Sequence, residues 1–296
     1  ERRGQFTVMP TMSSFLQATH SPMVVPGSVN LLGFAFDGTA CFRKGAAGGP
    51  AAIRAASESL ETYSPYLDRD LEDTEFYDLG DLPLQTHSSS PSWAKGTAAY
   101  DELFSRNLAE TNTKTLVLGG EHSVSFAPIR RALDCYPDLV VVQLDAHADL
   151  RDGYQGHHFS HASIIRRVLD CFGPEHRLIQ AGIRSGTREE FAWMREHGTL
   201  CLSHTRLLSR VQSLDNGRPI YLTVDLDYFD PAFVPGTGTP EPGGKSFQSF
   251  VSLCKVLLRK NLVGADVVEL APNIDPTGNS DVFAAKVVRE LLLILS

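Results

Sequence analysis

Acidic and imidazole side chains are concentrated in three short segments of this 296-residue chain, and their spacing suits metal binding. Asp145, His147 and Asp149 alternate with alanines, so an extended backbone turns all three side chains to one side. Carboxylates crowded in this way repel one another unless a cation lies between them. The run therefore favours a metal site over a chance cluster.

The other two segments supply further donors in similar surroundings. His122 follows two glycines within residues 119–123, and Asp225 and Asp227 close an apolar run. Alone, each segment is a weak signal, because a histidine at a turn is often a cap and aspartates are common in turns. Together, the three segments place two imidazoles and four carboxylates directly after strand-like runs.

This donor set indicates which metal would be bound and how many ions. Structural zinc prefers cysteine and histidine ligands, whereas carboxylate oxygens with imidazole suit Mn²⁺. Six donors are more than one catalytic ion needs, and four aspartates balance the charge of two divalent cations. The residues therefore predict a binuclear site.

Short apolar or β-branched runs recur along the chain, and helix-length amphipathic segments lie between most of them. The runs that predict strands are 30–36, 75–79, 115–119, 139–144, 177–183, 199–202, 220–226 and 263–270. The clearest helical segments are 51–62, 94–108, 163–172, 188–197, 247–260 and 280–295. This alternation predicts an α/β fold with a parallel sheet, either doubly wound or closed into a barrel. Both architectures place ligands at the carboxyl ends of strands.

Composition argues against several classes of protein. The 27 Lys and Arg against 35 Asp and Glu give a net charge of −8, which offers no basic surface to nucleic acid. The longest apolar runs fall far short of the roughly 20 residues that span a membrane. The five cysteines are scattered without a CxxC pair and predict neither a disulfide framework nor a thiolate zinc site.

The organisation predicted along the chain is an N-terminal arm over residues 1–28 followed by one catalytic domain over residues 29–296. The arm mixes polar residues, methionines and prolines without a usable period. Its start lacks the basic-then-apolar pattern of a signal peptide, so we expect a cytoplasmic protein.

The three segments resemble those of the ureohydrolases, the family of arginase and agmatinase. The matching stretches are GGEHS at 119–123, DAHAD at 145–149 and TVDLDYFDPAFVPGTGTPEPGG at 223–244. RKGAAGGPAAIR at 43–54, AGIRS at 181–185 and VELAP at 268–272 follow the family's order and spacing. The resemblance implies a three-layer α/β/α fold with an eight-stranded, mostly parallel sheet. It also implies two Mn²⁺ ions per subunit and hydrolysis of a guanidine to urea and an amine.

Carried over by position, the resemblance implies two ligand sets that share residues. One ion would take His122, Asp145, Asp149 and Asp225. The other would take Asp145, His147, Asp225 and Asp227. A hydroxide held between the two ions would attack the guanidinium carbon of the substrate.

The resemblance also implies catalytic residues, which are Asp149, His161 and Glu269. Glu269 would pair with the guanidinium and orient its carbon. His161 matches a histidine that moves protons or contacts the guanidinium, a role for which His157 and His158 also compete.

Residues outside the ligand set bear on the substrate. Thr237 and Gly238 would line the guanidinium pocket. The polar loop with which arginases recognise an amino-acid head is not evident in residues 151–156, and GIRS followed by TREE is more like agmatinases. We therefore expect agmatine to be hydrolysed to putrescine and urea, with Asp152 as the candidate that binds its far amine.

Several alternatives stay open at this point. Arginine, guanidinobutyrate and guanidinopropionate are other substrates of such enzymes, and a one-metal zinc deacetylase or a non-catalytic scaffold would belong to other classes. Two departures from the family pattern concern the pocket: Glu121 stands where many members have Asp, and Cys41 to Lys44 replace an Arg-Pro-Gly approach. The resemblance suggests a homo-oligomer, either a trimer or a hexamer.

Overall fold

The computed structural model describes residues 13–84 and 90–296. Its strands are β1 Thr19–His20, β2 Val29–Phe34, β3 Tyr63–Ser64, β4 Arg69–Asp70, β5 Phe76–Asp81, β6 Lys114–Gly119, β7 Val140–Leu144, β8 Arg177–Ala181, β9 Leu200–Cys201, β10 Pro219–Asp225 and β11 Asn261–Val268. Its α-helices are α1 Gly49–Ser57, α2 Ser90–Leu103, α3 Leu108–Thr111, α4 Phe126–Cys135, α5 Ile164–Leu169, α6 Arg188–Glu196, α7 His204–Gln212, α8 Phe247–Leu257 and α9 Asn279–Leu295.

Nine of these strands form one sheet in the order β1-β5-β2-β6-β11-β10-β7-β8-β9. Every neighbouring pair in it is parallel. The sheet ends at β1 on one side and at β9 on the other, so it is open and not a barrel. The α/β fold with a parallel sheet is confirmed.

All eight predicted runs overlap a strand of this sheet, and the ninth strand comes from the predicted N-terminal arm. Thr19 and His20 pair with Tyr77 and Asp78 of β5. Two residues are too few to show a period of two in the sequence, so this edge strand could only be found through its partner. The first twelve residues of the predicted arm lie outside the described residues.

Helices cover the sheet on both faces and enclose two apolar layers. One layer lies between the sheet and α1, α7, α8 and α9, and the other lies between the sheet and α2 to α6. Strand β7 contributes side chains to both layers, since Val140 and Val142 face the first and Val141 faces the second. Burial of each such valine stabilises the fold by about 1.5–3 kcal/mol. α4 and α7 lie outside the segments predicted as helical.

Side-chain caps mark where several helices begin. Ser203 and Ser246 accept backbone hydrogen bonds at the starts of α7 and α8. At α6, the Thr187 hydroxyl accepts from the amide of Glu190, and the Glu190 carboxylate accepts from the amide of Thr187. This capping box fixes the first turn of α6 beside the carboxyl end of the sheet.

The strand order places β6, β11, β10 and β7 side by side at the centre of the sheet. After β6 the chain passes to β7 and moves outward through β8 and β9, and it returns later to fill the gap with β10 and β11. Ligands of open α/β sheets bind where the strand order changes in this way, at the carboxyl ends of the strands. All three acidic segments follow strands of this central group.

Two expectations from composition can be compared with the described residues. No helix within residues 13–84 and 90–296 is long and apolar enough to cross a membrane. All five cysteines are free, and three of them are buried, whereas Cys41 is half-buried and Cys171 is exposed.

Candidate metal centre

The carboxyl ends of three central strands, β6, β7 and β10, and the loops that follow them bring the predicted ligands together. His122 lies two residues beyond Gly120, whose hydrogen atom leaves room for the backbone of Phe36, since a Cβ there would lie 1.9 Å from the Phe36 carbonyl oxygen. At the end of β10, Asp225 accepts a hydrogen bond from the amide of Asp227 over 2.9 Å. The turns themselves therefore aim the side chains at the sheet edge.

His122 is the centre of the first ligand group. Its Nδ1 lies 3.0 Å from Asp145 Oδ2, 3.2 Å from Asp149 Oδ2 and 3.3 Å from Asp225 Oδ2. Nδ1 is fully buried and has no well-oriented hydrogen-bond partner among the described residues. An orphaned imidazole nitrogen facing three carboxylate oxygens fits a bound divalent cation.

The second ligand group lies beside the first and shares Asp145 with it. His147 Nδ1 lies 2.9 Å from Asp227 Oδ2 and 3.7 Å from Asp145 Oδ1. The residues that could hold metal ions thus form two groups. One group is His122, Asp145 and Asp149, and the other is Asp145, His147 and Asp227. Asp145 turns one oxygen to each group, and the six predicted ligands lie together at this edge.

A buried hydrogen-bond relay sets the tautomer of His122. Thr223 Oγ1 donates to Asp266 Oδ1 over 2.6 Å, so it accepts from His122 Nε2, which lies 2.8 Å away. With its hydrogen on Nε2, His122 presents the lone pair of Nδ1 to the ligand group. Sequence reasoning missed Asp266, although a charged residue inside the apolar run 263–270 was a usable signal.

Crowding shifts the acid–base equilibria of the ligands. Burial and the charge of Asp145 raise the pKa of Asp149 to about 7. Burial, Asp227 and Asp145 raise the pKa of Asp225 well above its usual range. Burial alone would lower the pKa of His147, but Asp227 and Asp145 raise it to about 12. Without cations the site therefore holds protons, and divalent cations would displace them.

Glu269 follows β11 and faces the first ligand group. Its Oε1 accepts a hydrogen bond from the backbone amide of His122 over 2.7 Å. Burial and the charge of Glu121 raise its pKa to about 8. Glu269 and Asp149 both have positive φ angles, 68° and 54°, which are unfavourable for residues with a side chain. Such backbone strain is typical of functional sites.

Glu121, noted in the sequence as a departure from the family pattern, has a fully buried side chain. Its carboxylate accepts hydrogen bonds from the Thr39 amide over 2.6 Å, from the Thr39 hydroxyl, and from Ser123 Oγ over 2.5 Å. Burial raises its pKa to about 6. Thr39 Oγ1 in turn lies 3.4 Å from His161 Nδ1. Glu121 therefore ties the loop after β2 to the site without entering the ligand groups.

A cavity of about 200 Å³ opens beside the two ligand groups. Its walls away from the ligands include Arg151, Tyr154, His161 and Glu190. Burial, with the nearby charges of His147 and His122, lowers the pKa of His161 to about 4. Among the described residues that line the cavity, His161 is the only member of the HHFSH stretch at 157–161.

Three other predicted substrate residues lie in different surroundings. Asp152 is exposed and forms an ion pair with Arg167 over 2.7 Å, and it does not line the cavity. Arg43 donates to the carbonyl oxygens of Thr237 and Gly238 over 2.6 and 3.2 Å. A Cβ on Gly238 would lie 3.9 Å from Glu269 Oε2, so this segment passes beside the Glu269 carboxylate. The departure at Cys41 to Lys44 thus supplies the side chain that holds residues 237–238.

Comparisons with known proteins identify the family to which the chain belongs. Residues 27–294 match the sequence model of the arginase family. The chain is 40% identical over 276 residues to the agmatinase of Bacillus anthracis, covering 92% of this chain and 93% of that protein. It is 39% identical over 268 residues to the agmatinase of Bacillus subtilis strain 168, covering 89% and 90%.

The fold agrees with a solved structure as well. Proclavaminate amidino hydrolase from Streptomyces clavuligerus superposes with a TM-score of 0.84 at 27% identity and covers 97% of each chain. The resemblance seen in the sequence is therefore confirmed over almost the whole length of the chain. The chain belongs to the arginase family.

Proposed function

We propose that this protein is a binuclear manganese hydrolase that cleaves agmatine to putrescine and urea. The observation that carries the proposal is the pair of ligand groups that share Asp145, placed beside the Glu269 carboxylate on the wall of one cavity. A one-metal deacetylase would need only one such group. Membership of the arginase family supports the same class of reaction.

The ligand residues would hold the two cations, with Asp145 between them. Carboxylate-rich ligation without sulfur supports Mn²⁺. Cations bound there would lower the pKa of water and so supply a nucleophile at neutral pH. The protein's part is to fix its six ligands around two adjacent positions and to keep the substrate carbon within reach.

Glu269 and His161 would act on the substrate directly. The Glu269 carboxylate can accept two parallel N–H bonds from a guanidinium, which fixes both position and orientation. The departing amine must gain a proton, and the His161 imidazole on the cavity wall could relay one to it. Both residues lie on the same cavity as the ligands.

Glu190 is a better candidate than Asp152 for the acid that would receive the far amine of agmatine. Glu190 lines the cavity, and its carboxylate accepts hydrogen bonds from the amides of Leu150 and Thr187 over 2.9 and 2.7 Å. These two bonds hold a negative charge in a fixed place. We therefore assign Glu190, in place of Asp152, to the ammonium end of the substrate.

A second substrate class is favoured by Arg151. Its guanidinium lies 4.7 Å from the centre of the Tyr154 ring on the same cavity wall, and its Nε lies 4.0 Å from Glu190 Oε2. A cation at this position would pair with the carboxylate of an ω-guanidino acid such as guanidinobutyrate. The balance between Glu190 and Arg151 therefore decides between an amine and an acid at the far end.

The proposal is tested by measuring urea release from agmatine, arginine, guanidinobutyrate and guanidinopropionate. Each substrate is assayed with added Mn²⁺ and with a chelator. Chelator-sensitive turnover that is fastest with agmatine supports the proposal. Fastest turnover of guanidinobutyrate would replace it with the second class, and absence of urea from all four would contradict both.

Replacement of Glu190 by Gln is expected to lower kcat/KM for agmatine by roughly 10-fold, mainly through a higher KM. The loss of a charge-assisted contact to the ammonium has about this effect. A butylguanidine without the terminal amine serves as the comparison substrate, and its kcat/KM should stay within about twofold of wild type. Michaelis–Menten kinetics with both substrates provide the measurement.

Asp152→Asn is the matched control, because Asp152 is the acid that the sequence offered for the same role, and it is exposed and does not line the cavity. It should leave both substrates unaffected. Equal losses with agmatine and butylguanidine in Glu190→Gln would mean that Glu190 only supports the first turn of α6.

The remaining expectations stay predictions. The family resemblance suggests a trimer or a hexamer, and we expect a cytoplasmic location. Production of putrescine would place the enzyme in polyamine synthesis.

A further inference from the structure

Gln143 is a polar residue in the middle of an apolar strand, two residues before the shared ligand Asp145. It is fully buried in β7, between valine and leucine neighbours. Its Nε2 donates hydrogen bonds to Asp145 Oδ2 over 2.8 Å and to the carbonyl oxygen of His147 over 3.1 Å. One amide group thus holds two points of the ligand-bearing segment.

The hydrogen bonds continue across the sheet from β7 to β8 and on towards the edge strand. Gln143 Oε1 accepts from Gln180 Nε2 over 2.8 Å, and Gln180 Nε2 also donates to the carbonyl oxygen of Ala148 over 3.2 Å. Gln180 Oε1 accepts from the Thr199 hydroxyl over 2.7 Å. We call Gln143, Gln180 and Thr199 the amide chain. All three side chains are buried.

The partners of the amide chain leave each amide only one orientation. The carboxylate of Asp145 and the carbonyl oxygen of His147 can only accept, so Gln143 must turn its NH₂ group towards them. Its oxygen then faces Gln180, which must turn its own NH₂ group towards Gln143. The Thr199 hydroxyl donates to the remaining amide oxygen and closes the chain. Both hydrogens of each amide have an acceptor, so rotation of either amide would bring oxygen against oxygen.

Stability of the apolar core does not require these groups. Burial of two amides and a hydroxyl is unfavourable unless every one is paired, and aliphatic side chains would fill the same space without that requirement. The amide chain contacts the ligand-bearing segment at the Asp145 carboxylate and at the carbonyl oxygens of His147 and Ala148. The hydrogen bonds of the amide chain are therefore directed at the segment that carries the candidate ligands.

We propose that the amide chain positions Asp145 for metal binding. By holding Oδ2 on the side of His122, it leaves Oδ1 facing His147, so that one carboxylate serves both ligand groups. Gln143 acts on Asp145 directly, and Gln180 and Thr199 act by fixing the orientation of the Gln143 amide. This inference rests on the proposed binuclear metal site and extends it to residues that touch neither metal nor substrate.

The test is the affinity of the metal-free protein for Mn²⁺, measured by titration calorimetry for wild type, three variants of the amide chain and one control variant. Gln143→Met keeps the volume and removes the amide, and we expect Mn²⁺ binding to weaken by roughly 10–100-fold. Gln180→Met should weaken it less, because Gln143 keeps its donors but loses its orientation. Thr199→Val should weaken it by roughly threefold, since it removes one hydrogen bond at the far end.

Val141→Ala is the matched control, because Val141 lies two residues earlier on the same face of β7 and has no polar atom. It should lower the free energy of unfolding and leave the Mn²⁺ affinity within about twofold of wild type. Wild-type affinity in Gln143→Met would overturn the proposal. An affinity loss in Val141→Ala as large as that in Gln143→Met would also overturn it, because general destabilisation would then explain both.

The conservative Thr199→Val variant keeps the test decisive where Gln143→Met does not fold. Unchanged Mn²⁺ affinity in a folded Thr199→Val variant would then contradict the proposal that the amide chain positions Asp145. The test is also separable from the proposed reaction. Tight binding of two Mn²⁺ ions without urea release from any guanidine would contradict the proposed function, and the ranking of affinities would still decide whether the amide chain positions Asp145.

Discussion

Removal of divalent metal is expected to stop urea release and to lower the melting temperature by roughly 10 °C. Two sites, each occupied at about 100 times its dissociation constant, stabilise the folded state by about 5 kcal/mol together. For a chain of this size that free energy corresponds to the stated shift. Differential scanning calorimetry with Mn²⁺ and with a chelator measures it, and the urea assay on the same samples gives the activity.

The shift should grow as pH rises from 5 to 8. In the metal-free protein the pKa of Asp149 is raised to about 7 and that of His147 to about 12. The folded state therefore keeps protons that the unfolded chain has already released. Stability from a raised pKa is fully present below the unfolded value and is lost as pH rises through the folded value. The metal-free protein should thus lose stability over this range, whereas metal binding strengthens as protons leave the ligands.

Asp145→Asn is the control for this prediction, because Asp145 belongs to both ligand groups. Its melting temperature should respond little to Mn²⁺, and its turnover should fall by roughly 10³-fold or more, since the nucleophile depends on the cations. Equal melting of the wild-type protein with and without chelator, together with unchanged activity, would contradict a shared buried metal site.

Replacement of Glu269 by Gln is expected to lower kcat/KM for agmatine by roughly 100-fold. Gln keeps an oxygen that can accept the His122 amide hydrogen bond, so the change removes mainly the negative charge. A guanidinium that loses a charged, bidentate partner loses about 1.5–3 kcal/mol of interaction, and its carbon is no longer held in line. Steady-state kinetics with agmatine provide the measurement.

Metal affinity separates this role from a structural one. Glu269 lies outside both ligand groups, so Glu269→Gln should bind Mn²⁺ with wild-type stoichiometry and nearly wild-type affinity. Full activity in the variant would show that Glu269 does not hold the guanidinium. Loss of metal along with activity would show that it acts through His122.

Many of the strands could be predicted from the pattern of residues within short stretches of the sequence. Continuous apolar runs such as residues 139–142 predict strands buried on both faces, and every predicted run overlaps a strand of the sheet. The edge strand Thr19–His20 was not accessible, because two residues carry no periodicity and the strand exists only through its pairing with β5. Strand order was equally inaccessible, since the gap between β6 and β7 is filled by strands that come later in the chain.

The candidate metal ligands could be predicted because their chemistry is local. Alternation in the DAHAD stretch puts three donors on one side of an extended backbone, whatever the rest of the fold does. The residues at the far end of the pocket could not be predicted in this way. Asp152 and Glu190 are both acids near the predicted site, and only folding decides that Asp152 pairs with Arg167 while Glu190 lines the cavity.

The sequence by itself determined the types and spacing of the candidate ligands, the parallel α/β architecture and the family. Tertiary structure alone decided which partners those ligands have: Asp266 behind Thr223 and His122, and Gln180 and Thr199 behind Gln143. The physical reason is the separation along the chain over which each interaction acts. Backbone periodicity acts over a few residues and is written into neighbouring positions, whereas these hydrogen bonds join strands that are distant in the chain and meet only when the sheet forms.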